Sequence, residues 1–240
     1  MTDSNMVLAW SDEFNGDSID RNKWNFDMGT NNNGWGNNEP QCYTDRPQNA
    51  YVSNGCLVIQ ALRENYGGCS YTSARLKTQG KFSVKYGKFE MRAKLPSGQG
   101  MWPAFWLLGD NIGQVGWPAC GEIDIMEFIG KDPKNVHGAT HGSGFDTCNS
   151  YYNGNGFSDW HTYAANWQPY PDRIEFSVDG NIYKTVTPAD THGHWPFNDQ
   201  NMFIILNLAT GGNWPGYPDG STQFPQQFVI DYVRVYEWAG

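Results

Sequence analysis

Charged residues are scarce in this sequence, and no cluster of positive charge is present. Charged residues make up 17% of the chain, and its net charge at pH 7 is −9. Nucleic acids and anionic membrane surfaces are bound by grouped lysines and arginines. We therefore expect neither of them as a partner, and a neutral ligand is favoured.

Long apolar runs are also missing. A helix that spans a bilayer needs about 20 consecutive apolar residues, and no stretch of this sequence approaches that length. Residues 1–10 are too polar to form a signal peptide. We expect a secreted, extracellular protein whose signal peptide is absent from this sequence.

Cysteine is sparse and shows no metal-binding spacing. The five cysteines, Cys42, Cys56, Cys69, Cys120 and Cys148, include no close CxxC pair and do not resemble a zinc framework. An odd number leaves at least one thiol unpaired within a monomer, which is the oligomeric state that we expect. Disulfides can form if the protein is exported, but the sequence leaves their pairing open.

Glycine, asparagine and aromatic residues are, in contrast, plentiful, which favours short strands joined by turns. Residues 50–61 and 176–186 each predict a hairpin, around Asn54-Gly55 and Asp179-Gly180 respectively. Residues 80–95 alternate apolar and polar side chains over most of their length, as strands with one face on a core do. Because no linker or long helical pattern is visible, the sequence predicts one all-β domain that spans all 240 residues.

Tryptophan and tyrosine are more numerous than packing requires. The chain has eleven tryptophans and thirteen tyrosines, and flat rings with polar edges suit the faces of sugar rings. The alternative is that these rings pack in an aromatic-rich core. We expect some of them in the core and others at a sugar-binding site. Residues 31–38 predict a polar loop that contains a tryptophan and contributes to a surface site.

Three carboxylates lie within six residues of an otherwise apolar, strand-forming segment. In a regular strand Glu122 and Asp124 share one face, and Glu127 points into the core. Burial of an unpaired carboxylate is costly. We therefore predict a β-bulge near Ile125 and Met126 that returns Glu127 to the face of the other two acids.

Paired carboxylates of this kind are typical of retaining glycosidases. Such enzymes need two carboxyl groups roughly 5 to 5.5 Å apart, one to attack the anomeric carbon and one to protonate the leaving oxygen. Close like charges favour a protonated carboxyl, and we predict that Glu127 holds this proton. Asp124 would orient the nucleophile. A half-exposed acidic strand without catalysis, or a calcium site made from these acids, is the alternative.

The segment Glu122-Ile-Asp-Ile-Met-Glu127 resembles the active-site signature of glycoside hydrolase family 16. Its Met126 insertion is similar to the bulged form of laminarinases, agarases and carrageenases. The resemblance extends from Trp10-Ser-Asp-Glu-Phe-Asn-Gly16 to Asp231-Tyr-Val-Arg-Val-Tyr236. It implies a β-jelly-roll sandwich of two curved antiparallel sheets, similar to concanavalin A, with the glucan in a concave cleft and the acidic strand at its floor. Glu122 would then be the nucleophile and Glu127 the general acid/base.

The resemblance also implies substrate contacts from residues outside the acidic strand, and Trp117, just before that strand, is a further candidate. The expected substrate-binding residues are Trp35, Asn38, Arg75, Trp102, Trp106, Trp117 and His141. For the tryptophans the alternative is core packing. Arg75 would donate to sugar hydroxyls or hold the nucleophile's carboxylate, and an ion pair with another acid is its alternative.

Metal sites are expected only at the periphery. His137 and His141 lack an obvious third ligand, so we expect no zinc site. Many bacterial members of the family bind a structural calcium ion on the convex side, through residues that match Glu13, Gly55 and Asp231 here. Hard oxygen donors of this kind suit calcium. No cofactor is expected for catalysis.

The function implied by these residues is endo-acting hydrolysis of β-1,3-linked, laminarin-type glucan with retention of configuration. A mixed-linkage β-1,3-1,4-glucanase of the same family is an alternative. Agarose and carrageenan are also alternatives. Sulfated substrates call for basic cleft residues, which this acidic chain has few of, so a neutral glucan is favoured. A non-catalytic glucan-binding lectin is a further alternative, and the presence of all three acids argues against it.

Overall fold

The computed structural model describes residues 5–192 and 194–239, so residues 1–4, 193 and 240 of the predicted domain lie outside the described residues. The regular secondary structure of the described residues consists mainly of β-strands. In chain order these are β1 (Met6–Asp12), β2 (Asn25–Asp27), β3 (Cys42–Tyr43), β4 (Ala50–Ser53), β5 (Cys56–Tyr66), β6 (Cys69–Ser73), β7 (Arg75–Lys77), β8 (Gly87–Lys94), β9 (Met101–Gly109), β10 (Glu122–Glu127), β11 (Asn135–Gly142), β12 (Phe145–Tyr152), β13 (His161–Gln168), β14 (Arg173–Val178), β15 (Asn181–Val186), β16 (Met202–Thr210) and β17 (Gln226–Trp238).

Helical segments are short and lie between the strands. Among the described residues they are an irregular turn at Gly34–Asn38, the helix α1 at Ile112–Val115, and two 3-10 turns at Pro188–Thr191 and Pro196–Asn198. None of the helices in the described residues is long and apolar enough to span a bilayer.

The strands form two sheets. The larger sheet has the order β15-β14-β13-β8-β17-β5-β6-β3, with β1 beside β17 and β4 beside β5. The smaller sheet has the order β12-β11-β10-β9-β16-β7-β2. Neighbouring strands are antiparallel, apart from the short parallel pair of β3 and β6. The prediction of an all-β sandwich of two antiparallel sheets is confirmed.

Both predicted hairpins are present. Ser53 of β4 pairs with Cys56 of β5, and the two residues between them have positive φ angles of 53° and 74°. The turn between β14 and β15 has φ angles of 50° at Asp179 and 79° at Gly180. Two positive φ angles define the type I′ turn, whose twist matches that of the flanking strands. Residues 80–95 contribute a strand only at β8.

The two sheets pack face to face on one hydrophobic core. Alternate residues of β8, namely Phe89, Met91 and Ala93, are fully buried in it. Trp24 and Trp167 are also fully buried, so part of the aromatic content serves packing, as predicted. The core faces of both sheets are thereby covered, and the outer face of the smaller sheet is left for a cleft.

A disulfide bond joins Cys42 of β3 to Cys69 of β6. Cys56, Cys120 and Cys148 are free thiols. Because β3 and β6 lie at the edge of the larger sheet, the bond ties the loop before β3, which borders the cleft, to that sheet.

Candidate active site

A β-bulge in β10 positions the three carboxylates. Asp124 and Met126 face consecutive residues of β9, so Ile125 is one residue more than the partner strand has. The bulge predicted near Ile125 and Met126 is confirmed. The alternation of faces restarts after the bulge, and Glu127 lies on the same face as Glu122 and Asp124.

The opposite face of this segment packs into the core. The core side chains on either side of the bulge are Ile123, Ile125, Met126 and Phe128. Two consecutive buried residues, Ile125 and Met126, therefore anchor the bulge. Their burial makes the slipped register, in which Glu127 would enter the core, unfavourable.

A cleft of about 630 Å³ runs over the outer face of the smaller sheet. Its walls include the three carboxylates and six of the seven predicted substrate-binding residues, which are Trp35, Arg75, Trp102, Trp106, Trp117 and His141. Asn38 is not part of the cleft wall. Its amide donates to Asn213, and its carbonyl oxygen accepts a hydrogen bond from Tyr217. Its contact with substrate stays a prediction.

Two tryptophan side chains donate hydrogen bonds to the catalytic candidates. The indole N–H of Trp117 lies 3.1 Å from Oε1 of Glu122, and the indole N–H of Trp102 lies 3.0 Å from Oε2 of Glu127. An N–H donor stabilises the ionised form of a carboxyl group. These indoles therefore orient the carboxylates as well as presenting their rings to the cleft.

His141 stands between carboxylates of two neighbouring strands. Its Nε2 lies 3.0 Å from Oδ2 of Asp124 and 3.4 Å from Oε2 of Glu122, and its Nδ1 lies 2.5 Å from Oδ1 of Asp146. Burial opposes the charged form of the ring, but the contact with Asp124 and the other negative charges raise the pKa of His141 to about 10. The imidazole is thus a cation at neutral pH.

Burial raises the pKa of all three carboxyl groups, and repulsion from neighbouring carboxylates adds to it. The pKa of Glu127 rises to about 7 and that of Asp124 to about 6. The pKa of Glu122 rises well above its usual range, because burial, the charge of Asp124 and a hydrogen bond shared with Asp124 all favour its protonated form. The raised pKa of Glu127 has the direction that a general acid needs.

Arg75 lies in the cleft wall but is paired with an acid outside the catalytic group. Its Nε lies 2.9 Å from Oδ2 of Asp27, and its guanidinium carbon lies 4.6 Å from the ring centre of Trp35 and 4.9 Å from that of Trp106. The idea that Arg75 holds the carboxylate of Glu122 is thus replaced by the ion pair with Asp27. A donation to sugar hydroxyls stays a prediction.

Residues 36–234 match the profile of the family described as glycosyl hydrolases family 16. The chain belongs to this family. The resemblance indicated by the acidic strand is thereby confirmed, and with it the β-jelly-roll fold of family 16.

Several relatives match over almost the whole chain. A "Beta-glucanase" of Rhodothermus marinus is 44% identical, with 96% of this chain and 85% of the relative covered. A "Glucan endo-1,3-beta-glucosidase" of Cryptopygus antarcticus is 40% identical, with coverages of 97% and 92%. The solved catalytic domain of an endo-1,3-beta-glucanase (laminarinase) from Thermotoga petrophila RKU-1 is 47% identical with a TM-score of 0.92, and 98% of this chain and 99% of that chain are covered.

The family 16 cleft contains residues that sequence reasoning missed. The ring of Trp214 meets that of Trp102 at 5.7 Å and that of His137 at 5.0 Å, both edge to face. Trp214 lies in a segment rich in glycine and proline, after Gly211 and Gly212, which was a usable sign of a surface loop. Cys148 also lines the cleft, and nothing in its sequence neighbourhood indicated this.

A buried polar network supports the cleft on the side of Trp106. The indole N–H of Trp106 donates to Asn207 at 2.7 Å, the amide of Asn207 donates to the Tyr43 hydroxyl at 3.1 Å, and that hydroxyl donates to Glu39 at 3.2 Å. Burial raises the pKa of Glu39. Because each group has a partner, the network holds the ring of Trp106 in place.

Two acidic side chains and a histidine are close enough together to bind a metal ion. Ligand atoms of Glu122, Asp124 and His141 lie within 4.8 Å of one another. The two acids on β10 are thus candidate partner ligands for His141, which the sequence alone did not place beside it. The carboxylates around His141 raise the pKa of its ring, whereas metal binding requires the neutral imidazole. The expected absence of zinc stays a prediction.

Replacement of Glu127 by glutamine is expected to stabilise the protein in alkaline solution. The pKa of Glu127 is raised from 4.5 to about 7 in the folded protein. Between these values the unfolded chain releases the proton while the folded protein keeps it, so stability falls as pH rises through this window. Glu127→Gln removes this loss.

The expected gain in the free energy of unfolding is about 3 kcal/mol above pH 7, and close to zero below pH 4.5. Chemical denaturation at both pH values measures it. Glu237→Gln, at an exposed position near the end of β17, is the control for the change of charge. An equal effect of Glu127→Gln at both pH values would contradict the raised pKa.

Proposed function

We propose that this protein is an endo-acting hydrolase of β-1,3-glucosidic bonds in laminarin-type β-glucan and that it retains the anomeric configuration. The observation that carries the proposal is the bulged β10, which presents Glu122, Asp124 and Glu127 together in a cleft lined by tryptophans. The relatives named as glucan endo-1,3-beta-glucosidase and laminarinase, which match most of the chain, support this substrate.

In the first step Glu122 attacks the anomeric carbon. The proton that Glu122 shares with Asp124 moves to Asp124, and the freed carboxylate forms the bond to carbon. The indole N–H of Trp117 and the charged ring of His141 stabilise the ionised carboxylate of Glu122. Glu127 gives its proton to the departing glycosidic oxygen, and a covalent glycosyl-enzyme remains.

In the second step water replaces the enzyme carboxylate. Glu127, now ionised, takes a proton from the water that attacks the anomeric carbon, and Glu122 leaves as a carboxylate. Two inversions restore the β-configuration. A second sugar hydroxyl that reaches the intermediate before water yields a transglycosylation product.

The cleft walls bind the glucan mainly through flat rings. Trp35, Trp102, Trp106 and Trp117 offer apolar faces for the C–H surfaces of glucosyl units. Arg75, held by Asp27 between two of these rings, donates to sugar hydroxyls. His141 lies at the cleaved bond beside the carboxylates, and Asn38 contacts substrate at the rim of the cleft.

Purified wild-type protein is expected to release oligosaccharides from laminarin, and Glu122→Ala is expected to release none. The variant lacks the nucleophile but keeps the cleft, so it still binds glucan. Chromatographic analysis of products from laminarin, barley β-glucan, agarose and carrageenan measures both points, with Glu237→Gln as an active control. Products from barley glucan alone would assign the mixed-linkage class. An absence of products from all four would favour a glucan-binding module.

Glu127→Ala is expected to lose activity on laminarin but to regain it partly with azide on a substrate with an activated leaving group. Such a leaving group needs no proton, and azide attacks the intermediate without a general base. The regained reaction should yield a β-glycosyl azide, which mass spectrometry and nuclear magnetic resonance identify. Full activity of Glu127→Ala on laminarin, or no effect of azide, would contradict the role of Glu127.

A structural calcium ion at Glu13, Gly55 and Asp231 is a second part of the proposal. The three residues lie in or beside β1, β17 and the turn before β5, which are neighbours in the larger sheet, opposite the cleft. Carboxylate and backbone carbonyl oxygens are the donors that calcium prefers. Arg234 contacts Glu13 at 2.5 Å and Arg92 contacts Asp231 at 2.7 Å, so the ion has to share these carboxylates with two arginines.

Calcium is expected to raise Tm, because an ion that binds only the folded state stabilises it. Scans with excess calcium, with a chelator and with magnesium measure the effect, and Asp231→Asn is expected to reduce it. An unchanged Tm after chelation and after addition of calcium would count against this site, without bearing on catalysis at Glu122.

Secretion is the remaining part of the proposal. The bond between Cys42 and Cys69 supports it, since disulfides persist mainly in oxidising compartments outside the cytosol. A polymeric glucan substrate also has to be met outside the cell.

A further inference from the structure

Three polar residues stand side by side across three neighbouring strands of the smaller sheet. In the strand registers, Glu122 of β10 faces His141 of β11, and His141 faces Asp146 of β12. Directly opposed residues of an antiparallel pair place their side chains on the same face, about 5 Å apart at Cβ. The sheet therefore sets a carboxylate on each side of the imidazole ring.

The hairpin between β11 and β12 keeps Asp146 in this place. Gly142 pairs with Phe145, so only Ser143 and Gly144 form the turn. Gly144 has a φ of 81°, and a turn this short leaves little freedom of register. Asp146 follows the turn directly, and its position relative to His141 is thus set by backbone pairing.

Both ring nitrogens of His141 face carboxylate oxygens. Nδ1 lies 2.5 Å from Asp146, and Nε2 lies 3.0 Å from Asp124 and 3.4 Å from Glu122. A neutral imidazole has one N–H and one lone pair, so it would turn a lone pair toward one of these carboxylates. Only the imidazolium, with two N–H groups, matches carboxylates on both sides.

We propose that Asp146 is a positioning residue, which holds His141 as an imidazolium with its Nε2 beside the carboxylates of Asp124 and Glu122. The inference rests on the proposed function of these two acids. Asp146 does not reach the reacting atoms itself. It fixes the orientation and charge of the ring, and the ring in turn lowers the cost of placing negative charge on Glu122 when the nucleophile is freed.

The ion pair between Asp146 and His141 has a larger effect than most surface ion pairs, although Asp146 is exposed. Its side chain is 75% exposed, and exposed ion pairs contribute little by themselves. The other side of the ring, however, contacts Asp124, whose side chain is only 4% exposed. In that buried surrounding the position of one charge strongly affects its neighbours.

The charge state of His141 depends on a small set of titratable groups. Those that face the ring directly are Glu122, Asp124 and Asp146. The others that line the same cleft are Glu39, Arg75, Glu127 and Cys148. The indole ring of Trp117 lies 6.2 Å from the imidazole and completes its surroundings. Asp146 is the most exposed of the direct partners, so its replacement leaves the contacts of Glu122 and Asp124 with the ring in place.

The charge state is tested by nuclear magnetic resonance of the histidine rings. His141→Gln assigns the resonance of His141 among the five histidines. In the wild type we expect this ring to stay protonated through the neutral range. In Asp146→Asn its titration midpoint should move to lower pH, while Asp17→Asn, an exposed acid far along the chain, should leave it unchanged. An unchanged midpoint in Asp146→Asn would overturn the proposal.

Kinetics on laminarin provides the second test. Asp146→Asn is expected to lower kcat by roughly tenfold, the size of one hydrogen bond between charged groups, with little change in KM. The acid limb of the pH profile should move to higher pH, because Glu122 ionises less readily beside a less charged ring. Asp146→Glu should recover part of the loss. A fall in kcat without a shift of the profile would assign Asp146 a merely structural role and overturn the proposal.

The two tests separate failure of this inference from failure of the proposed function. If the wild type cleaves no glucan, the proposed function fails, yet the titration of His141 in Asp146→Asn still decides whether Asp146 controls the charge of the ring. If the wild type is active and both the titration and the pH profile of Asp146→Asn match it, only the inference fails. Unfolding curves of each variant exclude loss of folded protein as the cause.

Discussion

The cleft depends on the bulge at Ile125, where β10 carries one residue more than its neighbour β9. A side-chain period of two would otherwise place Glu127 in the core, where an unpaired carboxylate is costly. The extra residue reverses the alternation of faces in the rest of β10, so Glu127 lies on the outer face. Since Ile125 and Met126 are both buried, their packing in the core stabilises the irregular backbone. This backbone in turn keeps the three acids on the outer face.

The same arrangement creates an electrostatic cost, because three carboxyl groups are brought together under partial burial. Their raised pKa values express this cost. Indole N–H groups of Trp102 and Trp117 and the cation of His141 offset part of it. A second layer of residues in turn orients these groups, as functional sites on rigid elements require.

The fold tolerates this site because the residues that stabilise it and the residues of the site lie in different places. The larger sheet and the shared core contain the fully buried aromatic residues, such as Trp167 and Phe176, and supply stability. The outer face of the smaller sheet carries groups that repel one another. Functional sites commonly reduce stability in this way, and the rest of the fold compensates.

Local patterns in the sequence determined the parts of this structure that depend on neighbours along the chain. The hairpin turns at Asn54-Gly55 and Asp179-Gly180 follow from the φ angles that these residues tolerate. The common face of Glu122, Asp124 and Glu127 follows from strand alternation and from the cost of a buried charge. The family motif added the expectation that the nearby tryptophans line the cleft, and the structure places Trp102 and Trp106 there.

Only the tertiary structure decided which distant residues meet. The disulfide between Cys42 and Cys69, the ion pair of Arg75 with Asp27, and the contacts of Trp214 join positions that no short-range period relates. Asp146 is the clearest case, since it lies only five residues from His141 and yet meets it through the register of β11 and β12. Strand order and register result from packing the whole core. The alternation of apolar and polar side chains within a strand can be seen in a single sequence. The order in which the strands pair cannot.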